Sequence, residues 1–127
     1  MTKVQSKISK SFAVVTFGSE DNFDMPNDRE YKAMLDRLNE IGRPDDIASL
    51  PLLIAGNKTV RLRVQRIVLK ENEKLSFERG RSRKAPKDPG TDKFIRRAST
   101  QLDMVLSQGK PQFILVPYYS KVVVKKV

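Results

Sequence analysis

Two hydrophobic rhythms run along this chain, one alternating residue by residue and one recurring about every three and a half. Ser11 to Phe17, SFAVVTF, is β-branched and aromatic, ends at Gly18, and predicts a strand. After the loop GSEDNFDMP, residues Tyr31, Met34, Leu35, Leu38 and Ile41 recur at i, i+3, i+4, i+7 and i+10, one stripe of a helix. Asn27 stands at its N-cap with Glu30 three residues on, the spacing of a capping box, and Gly42 then Pro44 stop it. Its outer face carries Asp28, Lys32, Asp36, Arg37 and Glu40.

RPDDIASLP allows one short helical turn, and LPLLIA predicts a short buried strand. Gly56-Asn57 suits a tight hairpin turn because both residues tolerate positive φ. In TVRLRVQRIVL, Val60, Leu62, Val64 and Val68 share one parity, while Arg61, Arg63 and Gln65 share the other. Pairing this strand with KLSFER across a turn at Asn72-Glu73 sets Val68 opposite Phe77 and Lys70 opposite Leu75. The same register opposes Arg66 to Arg79 on the core side. That juxtaposition is unfavourable unless a bulge shifts it or an anion or acidic side chain lies between.

A second helix is predicted from a cap at Thr91 or Asp92, with Phe94, Ile95, Ala98, Leu102, Val105 and Leu106 on its apolar face and Gly109 with Pro111 at its end. QFILV lacks alternation and predicts a strand covered on both faces. YYSKVVVKKV, beyond Pro117, is read as an edge strand, a bulged continuation or a tail. The order β-α-(β)-β-β-α-β predicts an α+β fold: a mostly antiparallel sheet of four to six strands, with two helices on one face. A ferredoxin-like arrangement is the first expectation. The organisation expected is a single domain over 1–127, with residues 1–10 a flexible tail and 79–91 a basic loop.

Length and composition are compatible with this picture. The 127 residues suit one domain with a core of its own, with 39% apolar and 31% charged side chains. No apolar run is long enough to span a membrane, and MTKVQSKISK has no apolar h-region of a secretory leader. Cysteine is absent, which excludes disulfides and fits a cytoplasmic location, the host cytoplasm if the source is viral.

Charge changes the picture more. The net charge is +10, and it is unevenly spread. Residues 19–50 hold nine acids and four bases, a net of −5, whereas residues 58–87 hold eleven bases and three acids, a net of +8. Polyanions are the first partners to consider for such a balance.

Catalytic chemistry is thinly provided. There is no His and no Cys, so Ser/His/Asp and Cys/His arrangements are excluded. Neither GSEDN nor GRSRK has the Walker A spacing. Pro44 to Asp46 with Glu30-Tyr31-Lys32 only loosely matches a carboxylate nuclease, since the ExK triplet lies on a helix and comes first in the chain. Asp21, Asp24, Asp45 and Asp46 are better explained as caps and loop residues than as divalent-cation ligands. The chain is therefore expected to be no enzyme, with no catalytic residues, no metal and no cofactor.

Binding chemistry is better provided. Arg61 and Arg63 project from one strand face, and Arg suits phosphate because its planar fork bonds bidentately. ERGRSRKAPKDPG continues from that hairpin with Arg79, Arg81, Arg83, Lys84 and Lys87. With Arg66, these eight form the expected nucleic-acid-binding set. The Gly-aromatic alternation of an RNA-recognition sheet is missing, and Tyr118 and Tyr119 are the free aromatic candidates for stacking. Against this stands the plain alternative that a basic loop is a solvated, mobile segment.

Two functional expectations follow. In the first, this is a small non-enzymatic nucleic-acid-binding accessory protein that grips the phosphate backbone. In the second, it is a protein-binding modulator or inhibitor of a nucleic-acid machine such as a polymerase or nuclease, docking through Asp45, Asp46, Tyr118 and Tyr119 while its basic segment follows the nucleic-acid path. Either would suit an accessory factor of a virus or mobile element, and a structural role in a capsid, tail or ribosome-associated assembly is a third option.

Overall fold

The computed structural model describes residues 10–18, 26–49, 52–55, 58–80, 92–110 and 112–127. Its elements follow in the order β1 (Lys10–Phe17), α1 (Asp28–Ile41), α2 (Pro44–Ala48), β2 (Leu52–Ala55), β3 (Lys58–Leu69), β4 (Glu73–Arg79), α3 (Asp92–Gln108), β5 (Phe113–Pro117) and β6 (Ser120–Lys126). The chain is α+β. Among the described residues no helix is long and apolar enough to cross a membrane.

β1 is a central strand for a reason written in SFAVVTF: only Ser11 and Thr16 are polar, so neither face can be left wet. Phe12, Ala13, Val14, Val15 and Phe17 are all 0–1% exposed. On one side β3 runs antiparallel, with Val15 opposite Val64 and Phe17 opposite Leu62. On the other β5 runs parallel, with Val15 beside Leu115. β2 pairs antiparallel with the outer edge of β3, from Leu52 opposite Arg61 to Ala55 opposite Lys58, giving the order β2-β3-β1-β5. Gly56 and Asn57, the turn residues expected there, lie outside the described residues, as do residues 1–9 of the expected tail.

The two faces of this sheet carry separate cores. Ala13, Val15 and Phe17 pack with Tyr31, Met34 and Leu38 of α1 and with Ile47 of α2. Phe12 and Val14 pack with Ala98, Leu102 and Val105 of α3 and with Leu75 and Phe77 of β4. The expectation of two helices on one face is thus corrected: α1 packs on the first core and α3 mainly on the second, with its early residue Phe94 reaching the first, because β1 and β5 are apolar at both parities and need cover on both sides. The run QFILV is covered on both faces as its composition implied, with Phe113 to Pro117 all buried.

β4 does not pair with β3. It forms a separate antiparallel ribbon with β6, Leu75 opposite Val124 and Phe77 opposite Val122. The expected oppositions of Val68 with Phe77, Lys70 with Leu75 and Arg66 with Arg79 do not form: β1 pairs with residues 62–69 of β3 along one edge, and the other edge, where β2 reaches residues 58–61, is not taken by β4. The chain reverses where Glu73 N–H donates to the Lys70 carbonyl at 3.0 Å and Lys70 N–H to the Glu73 carboxylate at 2.9 Å. β4 then turns away to lay its apolar face over the second core. Val68, expected inside, is 61% exposed, while its neighbours Ile67 and Leu69 turn inward. The ribbon lies outside the main sheet, and β5 runs parallel to β1 where a mostly antiparallel sheet was expected.

Helix ends follow local chemistry closely. The Glu30 N–H donates to Asn27 Oδ1 at 2.8 Å and the Asn27 N–H to Glu30 Oε1 at 2.9 Å, the reciprocal capping box read from the sequence. Gly42 takes φ 77°, and its N–H donates to the Leu38 carbonyl at 2.8 Å. α3 starts at Asp92, which is therefore inside the first turn; Thr91 lies outside the described residues.

Candidate functional site

The pairing scheme brings four chain segments to one end of the sheet. β1 finishes at Phe17, and the Gly18 N–H then donates to the Arg61 carbonyl at 2.9 Å, so the early residues of β3 flank that end. Arg61 and Arg63 alternate with the inward-facing Leu62 and Val64, and both are exposed. β5 is parallel to β1 and finishes beside it, the Tyr118 N–H donating to the Phe17 carbonyl at 2.9 Å. β4 ends there too: Arg79 is opposite Ser120, and the Gly80 N–H donates to the Tyr119 carbonyl at 2.6 Å. Gly80 has to be glycine for this approach, since a Cβ would lie 2.9 Å from that carbonyl oxygen.

α3 supplies the fourth segment. It runs back along β5, fastened by Gln101, whose Oε1 accepts the Leu115 N–H at 2.8 Å and whose Nε2 donates to the Tyr31 hydroxyl at 2.6 Å. At its start, the Phe94 ring meets Phe17 edge-on at 5.7 Å and Tyr31 at 5.5 Å. Lys93, Arg96 and Arg97 therefore reach the same end as Arg61, Arg63 and Arg79. The chain leaves this end at Gly80 and comes back to it at Asp92. Arg81, Arg83, Lys84 and Lys87 fall between these anchors, outside the described residues.

Other expected site residues sit elsewhere or are already engaged. Arg66 lies opposite Ala13, and its Nη2 bonds Asp45 Oδ1 at 3.1 Å. A residue expected to bind nucleic acid thus pairs with one expected to bind protein. The opposition to Arg79 that called for an acid beside Arg66 does not form. Asp46 lies beside Asp45 in the first turn of α2. Tyr119 is 2% exposed and so presents no ring to a partner. The Arg79 guanidinium lies 5.2 Å from its ring centre. Tyr118 is half-buried and stands edge-on to Tyr119 at 5.4 Å.

Sequence reading missed Lys93, Arg96 and Arg97, and with them the role of Asp28. The signal was there: KFIRR places three cations at i, i+3 and i+4, one face of the helix's opening turns. Asp28, the first residue of α1, has Lys93 Nζ at 2.9 Å and Arg97 Nη2 at 3.0 Å from the same Oδ1 atom. The hydrogen bond from Lys93, then that from Arg97, holds the Asp28 carboxyl below its ordinary pKa of 3.8. The helix N-terminus favours an acid at this position as well. Burial pushes the Tyr31 hydroxyl above its ordinary pKa of 10.0.

Arg97 is the most constrained cation of the group. Its guanidinium centre is 4.8 Å from the Tyr31 ring centre and 5.8 Å from that of Phe94. Its Nη1 is buried and has no hydrogen-bond partner among the described residues. A buried donor left without a bond costs about 1–3 kcal/mol. Tyr31, Leu35, Lys93, Arg96, Arg97, Thr100 and Gln101 line an open depression of about 520 Å³ in this seam between α1 and α3. Among the described residues no group of three acids converges in a metal-binding arrangement. This end of the sheet is rich in cations, two of which, Lys93 and Arg97, are paired with Asp28.

Comparison with known proteins gives no significant match to a protein-family model, a curated protein or a solved structure.

Proposed function

We propose that this protein binds the phosphate backbone of nucleic acid, without catalysis, through the end of the sheet where β3 and α3 begin and β4 finishes. One observation carries the reading: the strand register brings Arg61, Arg63 and Arg79 to the end of the sheet where Lys93, Arg96 and Arg97 open α3. The two clusters lie on opposite faces of that end: Arg63 pairs with Thr16 on the side of Phe12 and Val14, whereas Arg97 stands against Tyr31 on the side of α1. A strand of nucleic acid that wraps around this end offers a phosphate to each cluster. The contacts are to the backbone, so little sequence preference is expected.

The alternative, a modulator docking through its acidic segment, ranks second for a specific reason. Of its expected docking residues, Tyr119 is buried and Asp45 is paired with Arg66. The test is fluorescence anisotropy with labelled single-stranded and duplex oligonucleotides over a range of salt concentrations. Affinity should fall steeply with salt, and Arg61→Ala with Arg63→Ala together should reduce the logarithmic salt slope by about 1–2. An unchanged slope in the double variant, or salt-independent binding, overturns the reading.

A further inference from the structure

We propose that the seam between α1 and α3 is a phosphoryl-group site, and that Asp28 fills it in the free protein as an internal stand-in for the ligand. The geometry of Arg97 is the starting point. Tyr31 and Phe94 hold its guanidinium plane in place, so the fork is fixed before any ligand arrives. Nη2 bonds Asp28, while Nη1 is buried and has no hydrogen-bond partner among the described residues. A single carboxylate oxygen, Oδ1, takes both Lys93 and Arg97.

A phosphoryl group fits this arrangement better than the carboxylate does. It carries more charge and has at least three oxygens arranged around one centre, so it engages both nitrogens of an Arg fork while another oxygen takes Lys93. Arg96 lines the same depression and is exposed, and among the described residues no acid is paired with it. Thr100 lies one helical turn beyond it on the same lining. The depression is open, which leaves room for whatever the phosphoryl group is attached to. Asp28 is itself largely exposed, at 67% of its side chain, and can swing outward when displaced.

This chemistry has two sources, a free phosphate compound or the 5′-terminal phosphate of a nucleic acid. The nucleic-acid arm rests on the function proposed above; the small-ligand arm does not. The first measurement is calorimetric titration of the intact chain with inorganic pyrophosphate, with amide spectra recorded to confirm the fold of each variant. Asp28→Asn should bind about tenfold tighter, since the competing carboxylate that holds Lys93 and Arg97 loses its charge. Asp36→Asn removes one negative charge elsewhere on α1 and should match the wild type. Lys93→Gln and the exposed Arg96→Gln should each weaken binding. Equal affinities for Asp28→Asn and Asp36→Asn, or no binding by either, overturn the proposal.

The second measurement compares 5′-phosphorylated and 5′-hydroxyl single strands of one sequence. Tighter binding of the phosphorylated strand, enlarged in Asp28→Asn, assigns the nucleic-acid source; equal binding together with a pyrophosphate response assigns the small-ligand source. If Arg61→Ala and Arg63→Ala weaken both strands while Asp28→Asn changes nothing, this inference fails and backbone binding stands. If Asp28→Asn tightens pyrophosphate while neither strand binds, the reverse holds.

Discussion

Two ion pairs in this protein look alike on paper and differ in what surrounds them. Asp45 meets Arg66, and Asp28 meets Arg97; in each, an acid from the first turn of an early helix bonds a guanidinium at about 3 Å. Around Arg66 there is mostly water, with side chains 52% and 84% exposed. Around Arg97 there are two aromatic rings, a second cation on the same carboxylate oxygen, and a hydrogen-bonded glutamine joining α1 to β5 through α3. The first pair decorates a surface. The second is built into the joint between two helices and one sheet end. What distinguishes them is packing behind the charge, since Coulomb attraction between exposed groups is weak and screened.

The sharpest way to break this contrast is to remove the packing. Phe94 is buried at the point where α3 meets Phe17 and Tyr31. Phe94→Ala should cost about 3–5 kcal/mol in denaturant unfolding, the usual cost of truncating a buried ring. It should also free Arg97, so the Asp28 carboxyl should titrate nearer its ordinary value. A loss under about 1 kcal/mol would mean the ring is not the support described here.

A gentler test uses pH. The Asp28 carboxyl titrates below its ordinary 3.8 in the folded protein, so its ionised form favours folding. Its contribution is fully present above pH 3.8 and is lost as pH falls through the depressed folded value. The melting-temperature gap between wild type and Asp28→Asn should therefore be level above pH 3.8 and close below it. A gap that persists unchanged in acid would show that the ionised carboxyl is not what stabilises the seam. The smallest effect is expected at the other pair: Asp45→Ala should shift unfolding by less than about 1 kcal/mol, and less again in high salt. A larger loss would place Arg66 in a structural role that its exposure does not suggest.

How much of this was legible in the residues depended on how local the interaction was. Asn27 and Glu30 are three residues apart, and their capping box could be read directly. So could the stripe from Tyr31 to Ile41 and the glycine that ends it. Register was a different matter. TVRLRVQRIVL alternates cleanly through Val64 and then becomes apolar at both parities, so the inward set after Arg66 is undetermined until a partner strand is known. That partner is β1, about fifty residues earlier in the chain, and nothing in the turn at Lys70 to Glu73 announces it. Nearness in sequence favoured a β3–β4 hairpin; β4 instead pairs with β6 and lays Leu75 and Phe77 over the second core. The candidate site was half legible for the same reason. Arg61 and Arg63 could be placed by alternation alone. Lys93, Arg96 and Arg97 needed the knowledge that α3 begins where β1 ends.

The placement of β1 also bears on how the molecule is assembled in time. Its residues come early in the chain, yet its parallel neighbour comes about a hundred residues later, Ala13 beside Phe113. β4 likewise waits for β6, where Arg79 is opposite Ser120 and Glu73 opposite Lys126. Contacts of such long range are slow to form, because loop closure must precede them. A ribosome that has released everything up to α3 has therefore exposed a strand buried on both faces in the finished protein, still lacking one of its neighbours. Until β5 arrives, one edge and much of the greasy surface of β1 stand open, which makes the nascent chain a natural client for chaperones.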